Sequence, residues 1–197
     1  QEDIFNLEAG YYMITVNSGP NCISQKSYNL GTRPPLKNNI CVVSVDLNTS
    51  TNLIVWEKAE SVGISHYNIY RENAVAGTYM LIDTVQFGSL SVFNDVVASP
   101  LQRSWRYRIT AVNTCGVEGP YSSNHKTLHL NTINQLTPGV VDIYWDDYEG
   151  VGNGQYQVYR HTDQNGWEAL VPTIPYGNIT MYTDTPPLGS TGLDYYV

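Results

Sequence analysis

The sequence predicts an all-β protein built of tandem β-sandwiches, the last of them incomplete. Three observations carry this reading. Helix signals are nearly absent, because no long stretch repeats apolar residues at i, i+3 and i+4 between caps. Short alternating runs, separated by Gly, Pro, Asn and Asp clusters, dominate instead. The chain also repeats itself. His66-Tyr67-Asn68-Ile69-Tyr70-Arg71 matches Gln155-Tyr156-Gln157-Val158-Tyr159-Arg160 at an offset of 89 residues. Ile54-Val55-Trp56 matches Ile143-Tyr144-Trp145, and Phe93-Asn94-Asp95 matches Tyr182-Thr183-Asp184, both at that same offset. Three blocks at one offset define two copies of a unit of about 90 residues, the size of a seven-stranded sandwich.

In the first unit the runs place strands near 40–47, 52–58, 65–72, 78–85, 91–96, 104–113 and 123–130. A period of two puts Ile54 with Trp56, Tyr67 with Ile69, and Tyr107 with Ile109 and Ala111, each set on one face. These faces are expected to meet between two sheets. The expected structural core is therefore Trp56, Tyr67, Ile69 and Tyr107, with Trp145, Tyr156 and Val158 in the second unit. That second unit repeats the order from about residue 138 and reaches Leu193-Asp194-Tyr195-Tyr196-Val197, where Tyr195 corresponds to Tyr107 with one residue deleted. The expectation is a sandwich without the end of its sixth strand and without its seventh, left open for a continuation or a partner strand. At the other end, Glu8 to Val16 reads as a late strand. A Gly19-Pro20-Asn21 turn and a strand from Ser24 to Leu30 follow, then a stiff Thr32-Arg33-Pro34-Pro35 linker. A start at Gln1-Glu2-Asp3 suggests a processed protein or a fragment.

Composition narrows the function classes. The 197 residues are 42% hydrophobic and only 14% charged, which argues against disorder. Aromatics reach 12%, with 16 Tyr, a residue suited to a half-buried pleated surface. A net charge of −8 with no Lys/Arg cluster disfavours nucleic acid and anionic membrane surfaces. No apolar run approaches the length of a membrane span, so no membrane insertion is expected. The three Cys stand at 22, 41 and 115, without the spacing of a metal site.

The first unit resembles a fibronectin type III module. Trp56 stands where the core Trp of the second strand does, and Tyr67 and Ile69 fit the third strand. Tyr107-Arg108-Ile109-Thr110-Ala111-Val112-Asn113 resembles the sixth with its corner Tyr, and Gly116-Val117-Glu118-Gly119-Pro120-Tyr121-Ser122 resembles the loop into the seventh. Asn68-Ile69-Tyr70-Arg71-Glu72, Thr114-Cys115-Gly116, His125-Lys126-Thr127-Leu128-His129-Leu130 and Tyr148-Glu149-Gly150 are similar to tandem modules of large secreted bacterial surface proteins of the type IX secretion group. The segment from Leu7 to Cys22 resembles the end of an Ig-like repeat of gliding-motility adhesins. The resemblance implies three parts: residues 1–33 as the C-terminal hairpin of a preceding Ig-like repeat, 37–131 as the first type III-like domain and 132–197 as the second. It further implies an extracellular, cell-surface or secreted, non-catalytic module acting as stalk, spacer or binding platform. Its partners would be flanking domains of the same polypeptide, surface glycans or identical subunits.

In a type III sandwich Cys41 and Cys115 sit at the same end, and Cys41 shares an alternation face with Val43, Val45 and Leu47. The resemblance thus implies a Cys41–Cys115 disulfide, worth roughly 4 kcal/mol by chain entropy. The alternative is two separate buried thiols. Cys22, in the adhesin-repeat reading, has its mate upstream of Gln1.

Other chemistry is sparse. His125 and His129 lie four residues apart on a strand, about 13 Å, too far to share one ion. His66 is replaced by Gln155 in the repeat, and His161 stands alone, so solvated strand positions are expected for all four. No metal is expected. Asp146, Asp147 and Glu149 are the weak calcium candidates, against a solvated loop, and they lack EF-hand spacing. A glycosidase pair would need a cleft that nothing builds. Gly-x-Ser-x-Gly and phosphate-loop motifs are missing, so no enzyme and no cofactor are expected. Outward aromatics are the best binding lead. Tyr70 and Tyr159 oppose Tyr67 and Tyr156 across their strands, and Tyr144, Tyr148 and Trp167 join them as a ligand platform for sugar rings. The alternative is cross-strand stabilisation. Three readings follow: a structural or adhesive stalk, a carbohydrate-binding or spacer region of a secreted polysaccharide- or protein-degrading enzyme, and a filament subunit completed by a neighbour's strand.

Overall fold

A computed structural model describes residues 7, 9–20, 22–46, 48–58, 63–137, 139–152 and 154–197. Gln1, Glu2, Asp3, Glu8, Asn21 and Leu47, used in the sequence reading, lie outside them. The described residues form only strands, turns and extended segments; no helix long and apolar enough to cross a membrane occurs among them. The protein is all-β, with tandem sandwiches.

β1 (Gly10–Asn17) and β2 (Ile23–Leu30) pair antiparallel in register from Gly10↔Leu30 to Asn17↔Ile23. Nearly all their side chains are exposed. Residues 31–39 are extended and anchored to the next unit. Arg33 O accepts from Asn113 Nδ2 at 3.0 Å, and buried Asn38 donates to Glu57 O at 2.7 Å. The Pro-rich linker is thus laid along the first sandwich rather than free of it.

The first sandwich contains β3 (Ile40–Asp46), β4 (Thr51–Trp56), β5 (Ile64–Glu72), β6 (Tyr79–Gln86), β7 (Val92–Asp95), β8 (Arg106–Asn113) and β9 (His125–Lys126). One sheet runs β3-β4-β7 and the other β6-β5-β8-β9. The alternation of β4 is strict: Asn52, Ile54 and Trp56 are buried, and Thr51, Leu53 and Val55 are not. Ile54, Trp56, Tyr67, Ile69, Tyr107, Ile109 and Ala111 fill the space between the sheets. Each fully buried Ile here is worth about 2 kcal/mol of transfer free energy.

The second sandwich contains β10 (Leu130–Asn134), β11 (Val141–Trp145), β12 (Gln155–Tyr156), β13 (Tyr159–Thr162), β14 (Gly166–Ala169), β15 (Ile174–Pro175), β16 (Met181–Asp184) and β17 (Asp194–Tyr196). Its sheets are β10-β11-β16, β14-β13-β17 and the short pair β12-β15. Trp145, Tyr156 and Val158 are buried in its core. Two differences from the sequence reading have one cause. The seventh strand of the first unit is only His125–Lys126, and β10 already pairs Leu130 with Trp145. Leu128 and Leu130 pack on the second core, so the chain joins that sheet before residue 132.

The repeat is exact in its core geometry to within a few degrees. Trp56 meets Tyr67 edge-on at 5.4 Å and 65°, and Trp145 meets Tyr156 at 5.4 Å and 68°.

Candidate binding faces and the joint between the sandwiches

The expected disulfide is absent: Cys41 and Cys115, like Cys22, are free and exposed. The reason is local. The β3–β4 register shifts between Ile40 and Val42, so Ile40 and Val43 point into the core and Cys41 turns outward. Cys115 sits in the tight turn after β8, where Asn113 Oδ1 accepts from its N–H at 3.0 Å.

The acidic candidates do not converge either. Asp147 Oδ1 accepts from the Tyr156 hydroxyl at 3.0 Å, while Glu149 turns away to Arg106. Asp146 is held by its own backbone, donating N–H to His129 O at 3.1 Å. No cluster of three or more His, Cys, Asp or Glu able to hold a metal occurs among the described residues.

The five platform aromatics separate into four places. Tyr70 lies on the outer face of the first sandwich. It is covered there, its hydroxyl donating to Glu118 Oε1 at 2.6 Å and its ring edge-on to Tyr121 at 5.0 Å. Burial and the Glu118 carboxylate push that hydroxyl well above the ordinary tyrosine range. Tyr144 lies on β11, in a different sheet from Tyr159. Tyr159 and Trp167 alone come together. Tyr148 is not a platform residue: it is half-buried at the joint between the sandwiches.

That joint is built from the loop after β11. Tyr148 Oη accepts from Val43 N–H of β3 at 2.9 Å and lies 3.2 Å from His125 Nδ1. Lys126 N–H donates to Glu149 O at 3.1 Å, a single antiparallel bridge that continues β9. Arg106 grips Glu149 with two hydrogen bonds, Nε–Oε2 at 2.7 Å and Nη2–Oε1 at 2.5 Å, and reaches Glu72 with its remaining nitrogen at 2.5 Å. Such a forked pair fixes orientation as well as distance. The Arg106 hydrogen bonds hold the Glu149 carboxyl below the ordinary glutamate range. Gly150 completes the contact with φ +118°; a Cβ there would lie 2.2 Å from His125 Nδ1. His125 itself is buried rather than solvated, and burial lowers its pKa below the ordinary 6.5. Sequence reasoning isolated Tyr148-Glu149-Gly150 but could not show its partners across the joint, which lie 23 or more residues away.

The remaining perturbed groups belong to the fold. Arg71 Nη1 meets Asp95 Oδ2 at 2.5 Å beneath the first core, and Arg160 Nη1 meets Asp184 Oδ1 at 2.7 Å beneath the second. Burial alone would raise Asp95. The hydrogen bonds from Arg71, from the Ala98 and Val97 N–H groups and from Tyr107 outweigh it and hold the carboxyl low. Because the arrangement occurs in both sandwiches, it reads as a structural device and not as a catalytic pair.

No protein-family model matches the chain, and no curated protein matches it. Among solved structures it is similar to an Fn3-like protein from Clostridium thermocellum, at 24% identity over 47% of this chain and 88% of that one, with a TM-score of 0.37. It is similar to the FN1–FN3 domains of chicken CNTN1, at 12% identity over 88% and 66%, with a TM-score of 0.38. It is also similar to the chicken interferon gamma receptor alpha chain, at 12% identity over 80% and 85%, with a TM-score of 0.37.

Proposed function

We propose that this chain is a non-catalytic extracellular part of a large cell-surface or secreted protein, in which two sandwiches are locked into a semi-rigid stalk that spaces or presents adhesive surfaces. The observation that carries the reading is the joint. Two modules on a plain linker would sample many angles, because a linker alone fixes little. Here a forked Arg106–Glu149 pair, a strand bridge at Lys126 and the Tyr148 hydroxyl on Val43 tie one module to the other by three separate contacts from one loop. The resemblance to modules of bacterial type IX-secreted, gliding-motility-like surface proteins supports the same reading and supplies the extracellular setting.

Small-angle scattering of the intact chain, with residual dipolar couplings of both sandwiches, tests this. A single inter-module orientation is expected, and Glu149→Ala should broaden it. Independent tumbling of the two sandwiches in the unaltered chain would overturn the stalk.

A further inference from the structure

We infer that the outer face of the β14-β13-β17 sheet is a binding site for an uncharged pyranose chain, an inference that rests on the extracellular, non-catalytic reading above. Pairing fixes what shares this face. Tyr159 lies between Ala169 and Tyr196, and His161 lies between Trp167 and Asp194. Tyr159 and Tyr196 stack at 4.5 Å and 11°, Trp167 meets Tyr196 at 4.7 Å and 66°, and His161 lies 5.2 Å from Trp167. Trp167 nevertheless keeps half of its surface, 51%, open to solvent.

The first sandwich supplies an internal contrast. There Arg108 pairs across from Tyr70, as Tyr196 does from Tyr159, and Tyr79 stands across from Glu72, as Trp167 does from His161. The Arg108 guanidinium lies 4.0 Å over the Tyr79 ring and 5.5 Å from Tyr121, while Arg106 neutralises Glu72 at 2.5 Å. The aromatic surface of the first face is thus closed by its own cations. In the second, the place of Arg108 is taken by Tyr196, and the exposed Asp194 stands beside the rings.

A partly exposed ring set, with Trp167 the most open, flanked by a carboxylate and an imidazole matches the two sides of a pyranose. Its C–H face is apolar and packs on the electron-rich face of an aromatic ring. Its hydroxyls donate to an acceptor-only carboxylate such as Asp194. Charge then selects among glycans. With a net charge of −8 and Asp194 at the site, a polyanionic glycan is repelled and an uncharged one is not. β13 and β14 each run four residues, about 13 Å, a length that more than one sugar ring is needed to cover.

The test uses the intact chain titrated by NMR with a set of neutral β-linked hexasaccharides (gluco-, manno- and xylo-) and with an oligogalacturonate. At least one neutral oligosaccharide is expected to bind saturably, moving the resonances of Tyr159, His161, Trp167 and Tyr196. Trp167→Ala and, separately, Asp194→Ala should each weaken it about tenfold, the loss of one good contact. Asp194→Ala changes an exposed side chain and keeps the proposal testable if Trp167→Ala misfolds. Tyr70→Ala should leave binding unchanged. Failure of every neutral oligosaccharide to bind, binding indifferent to both variants, or tighter binding of the oligogalacturonate would overturn the inference. Binding that persists in a chain whose sandwiches tumble independently would sink the stalk alone, and a rigid chain that binds nothing would sink the glycan site alone.

Discussion

The Tyr107 hydroxyl donates to Asp95 Oδ2 at 3.0 Å, and Tyr195 donates to Asp184 Oδ2 at 2.9 Å. In each sandwich the same carboxylate also takes the guanidinium of an Arg from the strand equivalent to β5, Arg71 in one case and Arg160 in the other. One carboxylate thereby ties three elements together: the strand that bears it, the strand of the Arg and the strand of the Tyr. Asp95 is 2% exposed, so its charge is tolerable only because every one of these bonds is made.

Replacing Asp95 with Asn should therefore unfold the first sandwich selectively. The amide keeps the shape but leaves the largely covered Arg71 without a counter-charge, at a cost of about 3 kcal/mol. Urea denaturation followed by the signals of Trp56 and Trp145 separates the two modules. A loss confined to the first is expected, and an unchanged midpoint would contradict the account. The pH dependence has a fixed sign. The Asp95 pKa is lower in the folded protein than its ordinary 3.8, so its contribution is complete above about pH 4 and disappears as pH falls through the folded value.

The joint predicts a different response to mutation. Gly150→Ala forces a side chain into His125 at a backbone angle that L residues rarely adopt. The expected outcome is a loosened joint with both cores intact: unchanged near-UV ellipticity, a wider distribution of inter-module distances in scattering, and a drop in overall stability of about 1–3 kcal/mol. Loss of either fold would instead place Gly150 in a core role.

His125 adds a second pH effect. Its pKa is depressed by burial, so the folded protein binds fewer protons than the unfolded chain once pH drops below 6.5. Stability should be flat above that value and fall below it. Replacing His125 with Gln should remove this slope in thermal unfolding series while leaving the steeper carboxylate-linked loss near pH 4 in place.

All three cysteines should react with a thiol reagent in the native state, since Cys22, Cys41 and Cys115 are each free and exposed. Thiol titration yielding three equivalents, with no mass change on reduction, is the expected result. A single reactive thiol would mean that a pair is bridged in solution.

How far the sequence carried the reading depends on the range of the interaction. The repeat offset placed Trp56 beside Trp145, Arg71 beside Arg160 and Asp95 beside Asp184 because these positions are set within one module by alternation and turn spacing. It could not show that Arg71, Asp95 and Tyr107 converge, since alternation says which face a residue takes but not which residue meets it. Cys41 went the other way, because a one-residue bulge reverses every inference drawn from parity. Tyr148 was read as an outward platform aromatic, and Glu149 as a loop residue facing water or calcium. Their partners, Val43, Arg106 and Lys126, belong to the other sandwich, and a motif confined to one unit carries no trace of them. Trp167 is exposed, and Tyr196, Asp194 and His161 became its neighbours only once the pairing of β13 was known.

The bond from Val43 N–H to Tyr148 has a consequence for chains packed side by side. β3 borders its sheet, and the edge of such a sheet offers unpaired amides on which a strand from a second molecule can dock. The Tyr148 hydroxyl, accepting from Val43 N–H at 2.9 Å, occupies one of those amides. The second sandwich thus acts as a guard for the first. The first sandwich cut free of the second would lose that guard and offer a longer run of free amides to a strand from another molecule.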